Sequence, residues 1–292
     1  MLDSKTVSHY KLVTSSAAQL CRSYTTLELT RAALECLPGG EPINSELHQV
    51  ILHEISRTGF IVLNASELCA NLSEFQATAA RIARGLGNLM VQNDAGDTVV
   101  AVYDRDAGRI EDGARYHQTR QGGDIHTDSV NRPQPIRYLV LGCAAPALIG
   151  GETILVRADE VYLALQCQPD VLEILGHDFL FEGRGMAQEY ALFQMPVCTT
   201  HEGRPRFRYL RSYITSAHNK AGTPLDPMQV HAFDMLDALL DSSRLQTRFN
   251  LGAGDILVTD DTAVFHGRTS FVDGKVPGAY AEQRHMLRYW ID

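Results

Sequence analysis

The first third of the chain carries hydrophobic residues at helical spacing. Apolar side chains recur every three or four positions in SSAAQLCRSY (15–24), TLELTRAALECL (26–37), NSELHQVILHEISRTG (44–59) and LSEFQATAARIARGLG (72–87). This spacing places the apolar residues of each segment on one helix face, so residues 1–95 are predicted to be largely helical. One short β-rich run, GFIVLN (59–64), separates the last two helices.

From about residue 97 the pattern changes to short β-branched and aromatic runs separated by Gly, Pro and Asp, which predict strands. They are DTVVAVYD (97–104), PIRYLVLGCAAP (135–146), GETILVRA (151–158), RFRYLRSYIT (206–215), GDILVTD (254–260), TAVFHGR (262–268) and HMLRYWI (285–291). Two helical segments, 158–176 and 226–241, interrupt them. The second opens with Asp226 as a predicted N-cap and Pro227 at the first helical position.

The order of these elements predicts a mainly β fold with flanking helices. The chain shows no internal repeat, no low-complexity tract and no linker long enough to separate two domains. We therefore expect one domain over residues 1–292, in which a β-sandwich or jelly-roll core fills residues 97–292 and the helices pack outside it.

Charge and composition narrow the class of ligand. A net charge of -9 and a pI near 5.6 argue against a nucleic-acid or anionic-membrane surface, and favour a small-molecule ligand that particular side chains recognise. The first residues lack the basic and apolar regions of a signal peptide, and no run of about 18 apolar residues is present, so a cytoplasmic location is expected. The six cysteines form no C-x-x-C pair, and the sequence gives no oligomeric state.

The stretch GGDIHTDSV (122–130) is the first candidate for chemistry. In an extended strand His126 and Asp128 point to the same face, where an imidazole and a carboxylate form half of a metal site. A lone His-x-Asp triplet arises often by chance in a chain with 11 histidines, so it needs a partner. GDILVTDDTAVFHGRTSF (254–271) supplies one, because His266 ends an apolar run there. Two histidines and a carboxylate suit one face of an iron(II) ion, whereas zinc more usually takes four tetrahedral ligands.

Several motifs of this sequence resemble those of a known enzyme family. HTD followed by GGET (150–153), then GDILVTDDTAVFHGRTSF and RHMLRYW (284–290), resembles the taurine dioxygenase and clavaminate synthase-like iron(II)/2-oxoglutarate oxygenases over roughly residues 50–292. The resemblance implies a double-stranded β-helix (jelly-roll, cupin-like) core. It also implies Fe(II) as cofactor and 2-oxoglutarate and O2 as cosubstrates.

The resemblance also assigns residues. His126, Asp128 and His266 match the iron ligands, Thr153 matches the hydroxyl on the distal carboxylate of 2-oxoglutarate, and Arg284 matches the arginine that pairs with that carboxylate. A planar guanidinium can grip a carboxylate through two parallel hydrogen bonds. Arg288 lies four residues on, hence on the same strand face, and could reach the cosubstrate or a substrate acid.

Each of these assignments has a structural alternative. Thr153 could be a β-branched strand residue, Arg284 and Arg288 could be solvated edge-strand charges, and Arg268 is expected to be structural. The family commonly has Asp-Asn in the turn before the distal histidine, whereas this chain has Asp260-Asp261.

The implied reaction is oxidation of an unactivated C–H bond, coupled to conversion of 2-oxoglutarate to succinate and carbon dioxide. Because Asp128 is retained where halogenating relatives have a small residue, hydroxylation is favoured, with desaturation or cyclisation as variants. The expected substrate is a small polar molecule such as an amino acid or a natural-product intermediate. The substrate-binding candidates are Gln121, Gly122, Arg208, Arg211 and Arg288. A non-catalytic, metal-binding cupin-like protein and a zinc hydrolase are the alternative functions.

Overall fold

The computed structural model describes residues 11–16, 23–34, 42–108, 116–183 and 192–292. The helices are α1 (Arg31–Leu34), α2 (Ser45–Thr58), α3 (Leu72–Leu86), α4 (Ala158–Leu165), α5 (Pro169–Leu175), α6 (Arg211–Lys220) and α7 (Pro227–Leu240). The strands are β1 (Lys11–Ser16), β2 (Ser23–Glu28), β3 (Phe60–Asn64), β4 (Val99–Val102), β5 (Tyr138–Ala145), β6 (Ile149–Gly150), β7 (Thr153–Arg157), β8 (Asp178–Glu182), β9 (Leu192–Pro196), β10 (Cys198–His201), β11 (Arg204–Phe207), β12 (Gln246–Phe249), β13 (Asp255–Asp260), β14 (Val264–Arg268), β15 (Phe271–Val272) and β16 (His285–Ile291).

Two sheets dominate the described part of the chain, and the fold is a mixed α/β arrangement with several antiparallel sheets. The larger sheet has the order β1-β2-β3-β13-β5-β16-β4 and is antiparallel except between β2 and β3. The smaller sheet has the order β12-β7-β14 and is antiparallel throughout. Short two-stranded pairs complete the set.

The larger sheet separates two apolar layers, and β16 shows how. Leu287, Tyr289 and Ile291 belong to the cluster formed with α2 and α3, which pack on one face of this sheet. Met286, on the opposite face, belongs to the cluster that lies between the two sheets. Successive side chains of a strand point to opposite faces, so the even-numbered residues of β16 face the space between the sheets.

Three of the predicted helices begin and end where the sequence predicts. Asn44 caps α2 by accepting a hydrogen bond from the Leu47 N–H at 2.7 Å, and Gly59 ends this helix with φ of 87°. Asp226 caps α7 within a capping box that it forms with Gln229, and Pro227 opens the helix as expected. The predicted helices over 44–59, 72–87 and 226–241 are therefore confirmed.

Four predicted elements differ. The helix predicted over 26–37 begins in β2, and among its described residues, 26–34, only Arg31–Leu34 are helical. The described ends of segment 15–24 lie in β1 and β2 rather than in a helix, while 17–22 lie outside the described residues. The predicted strand over 206–215 ends at Phe207, and α6 starts at Arg211 because Ile214 and Ala217 bury the inner face of a helix. The single helix predicted over 158–176 is two helices, since Pro169 occupies the first turn of α5 and cannot continue α4. No described helix has the length and hydropathy needed to cross a membrane.

Candidate metal centre

Three buried side chains converge between the two sheets. His126, Asp128 and His266 each offer one ligand atom, and these atoms all lie within 4.8 Å of one another. Asp128 Oδ1 lies 3.6 Å from Nε2 of His126 and 3.9 Å from Nε2 of His266. Each residue is less than a tenth exposed. Two imidazole nitrogens and one carboxylate oxygen therefore face a common point.

Backbone hydrogen bonds join the two histidines directly. The N–H of His126 donates to the carbonyl of His266 at 2.9 Å, and the N–H of His266 donates to the carbonyl of His126 at 2.8 Å. The segment around His126 was predicted to be an extended strand. Instead, only His126 pairs with β14, through an isolated bridge to His266. The chain turns at Ser129, whose φ of 53° is left-handed and whose Oγ accepts a hydrogen bond from the Ile136 N–H at 2.9 Å.

The outward ring nitrogen of each histidine faces an oxygen. His126 Nδ1 lies 2.8 Å from the Asp124 carbonyl, and His266 Nδ1 lies 3.6 Å from Asp261 Oδ1. The same Asp261 oxygen accepts a hydrogen bond from the Asp128 backbone N–H at 3.0 Å. The carbonyl partner favours the His126 tautomer whose Nε2 lone pair is free to bind a metal, whereas His266 Nδ1 has no hydrogen-bond partner among the described residues. Asp261, which stands where the family commonly has Asn, thus contacts two of the three triad residues.

Burial and neighbouring charges set the protonation of the triad. Burial alone would raise the pKa of Asp128, but the guanidinium of Arg288 and the two histidines outweigh it and hold that pKa well below its usual range. Burial and then His126 lower the pKa of His266 to about 3. Burial, followed by the charge of Asp128, raises the pKa of Asp261. A neutral His266 and an ionised Asp128 are the forms that bind a metal.

Two side chains of β16 contact the second carboxylate oxygen of Asp128. Trp290 Nε1 donates to Asp128 Oδ2 at 2.8 Å, and Arg288 Nη1 lies 3.4 Å from both carboxylate oxygens. Arg288 Nε donates to Gln92 Oε1 at 2.8 Å. Trp290, Gln92 and Asp261 were not predicted as site residues. Trp290 could have been found from strand parity, because it lies two and six residues after Arg288 and Arg284.

A cationic pocket lies in the same cavity as the triad. Thr153, Arg268, Arg284 and Arg288 line this cavity, as do Val102, Tyr116, His117, Leu141, Gly267 and Met286. Arg284 Nη1 is buried and has no hydrogen-bond partner among the described residues, and the same holds for Nε and Nη1 of Arg268. Burial, then the charge of Arg268, lowers the pKa of Arg284 to about 10. Buried donors without partners are costly, so this pocket suits an anion.

Arg268 is more than the structural residue that the sequence suggested. Its Nη2 donates to the carbonyls of Tyr116 and Thr119, which fits a scaffold role, yet its side chain also lines the cavity. The guanidinium carbons of Arg268 and Arg284 lie 4.8 and 5.0 Å from the centroid of the Phe271 ring. The two cations therefore share one aromatic neighbour at the pocket.

The other substrate candidates lie elsewhere, and Arg288 alone among the five lines the triad cavity. Arg208 donates to the carbonyls of Arg132 and Pro133, and burial lowers its pKa to about 10. Arg211 pairs with Asp234 and Asp237 and lines a separate cavity of about 620 Å³.

Gly122 and Gln121 precede the triad. A Cβ on Gly122 would meet the Ser270 backbone nitrogen at 2.6 Å, so this glycine permits close packing of two chain segments. Gln121 is half-buried and does not line the triad cavity. The structure therefore gives Gly122 a packing role and gives neither residue a contact with the triad cavity.

The donor set fits an iron(II) ion. Two imidazole nitrogens and one carboxylate oxygen supply three ligands on one side, which leaves other positions for small molecules. The unpartnered guanidinium donors and the Thr153 hydroxyl then offer a carboxylate-binding end in the same cavity. Together they can hold a metal and an acidic chelator side by side.

Comparisons with known proteins agree with this geometry. A model of the family described as taurine catabolism dioxygenase TauD, TfdA family matches residues 35–290. The FR-33289 synthase of Streptomyces rubellomurinus is 26% identical over 226 residues, or 76% of this chain and 65% of that relative. The match thus spans less than two thirds of the relative's length.

Solved structures share the fold. A taurine dioxygenase from Burkholderia xenovorans superposes with a TM-score of 0.64 at 14% identity, over 97% of this chain and 90% of that chain. An asparagine oxygenase in complex with Fe(II), 2S,3S-3-hydroxyasparagine and succinate superposes with a TM-score of 0.64 at 15% identity, over 85% of this chain and 80% of that chain.

Proposed function

This chain belongs to the taurine catabolism dioxygenase TauD, TfdA family, and we propose that it is an iron(II)- and 2-oxoglutarate-dependent dioxygenase that oxidises an unactivated C–H bond. One observation carries the proposal. The buried His126, Asp128 and His266 face a common point in a cavity that also holds the unpartnered guanidinium donor of Arg284. A metal triad beside a carboxylate pocket is what an acidic cosubstrate requires.

Each residue has a proposed role. His126, Asp128 and His266 hold the iron, and Arg284 and Thr153 bind the distal carboxylate of 2-oxoglutarate. When bound, iron would let O2 act as the oxidant, with one oxygen atom used to convert 2-oxoglutarate to succinate and carbon dioxide and the other available to oxidise the substrate C–H bond. The protein orients both and excludes water from a largely buried cavity. Because Asp128 fills the position that chloride would need, hydroxylation is the proposed outcome, with desaturation or cyclisation as variants.

The proposed substrate is a small polar molecule, such as an amino acid or a natural-product intermediate. The asparagine oxygenase of similar fold was solved with hydroxyasparagine, which supports an amino-acid-sized ligand. Arg288 lines the cavity and is the proposed contact for an acidic group of the substrate. Gln121, Gly122, Arg208 and Arg211 are not carried into this proposal, because they lie outside that cavity.

We further propose that the two facing sheets form a double-stranded β-helix within a single domain over residues 1–292. The antiparallel pairing of β12, β7 and β14 opposite the larger sheet supports it. The cytoplasmic location stays a prediction.

A zinc hydrolase is the main competing function, since zinc accepts the same three ligands. The reaction of a zinc hydrolase does not require the buried carboxylate-binding pocket at Arg284 and Thr153. The direct test is a screen of amino acids and natural-product intermediates for substrate-dependent release of succinate from 2-oxoglutarate with iron(II). We expect stoichiometric coupling of succinate to oxidised product for at least one compound. Zinc-dependent hydrolysis without consumption of 2-oxoglutarate would contradict the proposal.

A further inference from the structure

The two oxygens of Asp128 share Arg288 Nη1, which lies 3.4 Å from each, and otherwise face different partners. Oδ1 faces Nε2 of both histidines, at 3.6 and 3.9 Å. Oδ2 accepts a hydrogen bond from Trp290 Nε1 at 2.8 Å. An indole N–H can donate but cannot bind a metal, and a buried one needs an acceptor. This bond therefore satisfies the buried indole and occupies the oxygen that faces away from the histidines.

We propose that Trp290 is a positioning residue, which fixes the Asp128 carboxylate so that Oδ1 alone is presented to the metal. The inference rests on the proposed function, and adds to it a residue that touches neither the metal nor a substrate. Without the indole donor, the carboxylate could turn and bring Oδ2 to compete for a position on the metal. Trp290 thus keeps open the positions that a chelating cosubstrate requires.

The surroundings of Trp290 hold its ring in place. It is 4% exposed and packs in a cluster with Ile136 and Leu139. The guanidinium carbon of Arg288 lies 4.8 Å from the Trp290 ring centroid, within the range of a cation–π contact. The indole is therefore packed on the apolar side and contacted by a cation on the other.

Arg288 is itself held by Gln92. Arg288 Nε donates to Gln92 Oε1 at 2.8 Å, while Gln92 Nε2 donates to the carbonyls of Arg288 and Thr98 at 2.9 and 3.1 Å. Gln92 is 5% exposed. A contiguous series of Gln92, Arg288, Trp290 and Asp128 thus joins the segment before β4 to the metal centre. Rigid support of this kind is how proteins fix the orientation of a metal ligand.

The test replaces the indole donor and keeps an aromatic ring, through Trp290→Phe. The matched control is Tyr289→Phe, which removes a hydroxyl that donates to the Gln76 carbonyl at 3.4 Å on the opposite face of the same strand. Both proteins are titrated with Co(II), whose visible d–d bands report the number and type of ligands. Circular dichroism and thermal melts confirm that each variant is folded.

We expect Trp290→Phe to alter the d–d spectrum and to weaken Co(II) binding by about 10- to 100-fold, the usual effect of losing a partner of a metal ligand. Tyr289→Phe should match the unmodified protein in both. An unchanged d–d spectrum in Trp290→Phe, whatever its affinity, would overturn the role of Trp290. Failure of the unmodified protein to bind any divalent metal would instead contradict the metal centre itself.

A second measurement needs no variant. Trp290 is the single tryptophan of the chain, so fluorescence excited at the red edge of the absorption band, where the 11 tyrosines do not absorb, reports this indole alone. Binding of colourless Zn(II) at Asp128 Oδ1 withdraws charge from the carboxylate and weakens the bond to the indole. The emission should therefore shift and saturate at the stoichiometry that calorimetry gives for Zn(II). Emission that stays constant while calorimetry shows Zn(II) bound would overturn the inference.

Discussion

His126 and His266 exchange both of their backbone hydrogen bonds, at 2.9 and 2.8 Å, and their ring centroids lie 4.5 Å apart. The pairing fixes two side chains from distant parts of the chain before any metal arrives. Asp128 is held by other contacts, because its backbone N–H donates to Asp261, whose Oδ1 also lies 3.6 Å from His266 Nδ1, and its Oδ2 accepts from Trp290. The centre therefore has several supports, and loss of one ligand should leave the other two in place.

The first prediction follows from these supports. His126→Ala, Asp128→Ala and His266→Ala should each abolish iron-dependent turnover of 2-oxoglutarate while the fold is retained, because each removes one of three protein ligands. His53→Ala, at an exposed position in α2, is the matched control and should be fully active. Calorimetry with Fe(II) and circular dichroism check binding and folding. Near-normal turnover of any triad variant at equal iron loading would remove that residue from the centre.

The second prediction concerns the outcome of the reaction. Asp128→Gly should lose hydroxylation without gaining efficient chlorination. The change opens a position for chloride beside Trp290 and Arg288, which lose their carboxylate partner, but it adds no group that aims the substrate carbon at a halide. Mass spectrometry of products formed at high chloride measures both reactions. Abundant chlorinated product would show that the cavity already accommodates halide.

The third prediction separates the two arginines near β16. Arg284→Lys keeps a positive charge but loses the planar pair of donors, so 2-oxoglutarate should bind about 10- to 100-fold more weakly, as expected for about 1.5–3 kcal/mol. Binding of the primary substrate should change little. Arg288→Lys should show the reverse pattern. Anaerobic titration of both variants with 2-oxoglutarate in the presence of iron distinguishes the two roles. A large loss of affinity for 2-oxoglutarate that is confined to Arg288→Lys would assign cosubstrate binding to Arg288 and substrate binding to Arg284.

Much of the site was predictable because it depends on short motifs and strand parity. The spacing of His126 and Asp128 and that of Arg284 and Arg288 follow from strand parity, while the roles of His266, Thr153 and Arg284 came from the family resemblance. The supports were not predictable in the same way. The contacts of Asp261 with the Asp128 N–H and His266, and that of Gln92 with Arg288, join residues far apart in sequence.

Errors in the fold prediction have similar causes. Segment 15–24 has helical spacing, yet its described ends lie in β1 and β2, which pair antiparallel, and β2 then pairs with β3. Tertiary pairing overrides local preference there. Arg211 was read as a strand residue, but it begins α6, where its charge is satisfied by Asp234 and Asp237 of α7.

The fourth prediction concerns metal removal. A ligand that binds only the native state stabilises it by about 2.7 kcal/mol at a concentration 100 times its dissociation constant. Removal of metal with a chelator should therefore lower the unfolding temperature, and added Fe(II) or Co(II) should restore it. Asp128→Ala should show no such response. Differential scanning calorimetry makes the comparison, and an equal metal-dependent shift in Asp128→Ala would place the stabilising metal elsewhere.

The most direct test of the account is anaerobic addition of iron(II) and 2-oxoglutarate to the purified protein, followed by visible absorption. The account predicts a weak charge-transfer band that requires both components, disappears in His266→Ala, and needs a higher concentration of 2-oxoglutarate in Arg284→Lys. The absence of this band in protein that calorimetry shows to have bound iron(II) would contradict the assignment of a 2-oxoglutarate-dependent dioxygenase.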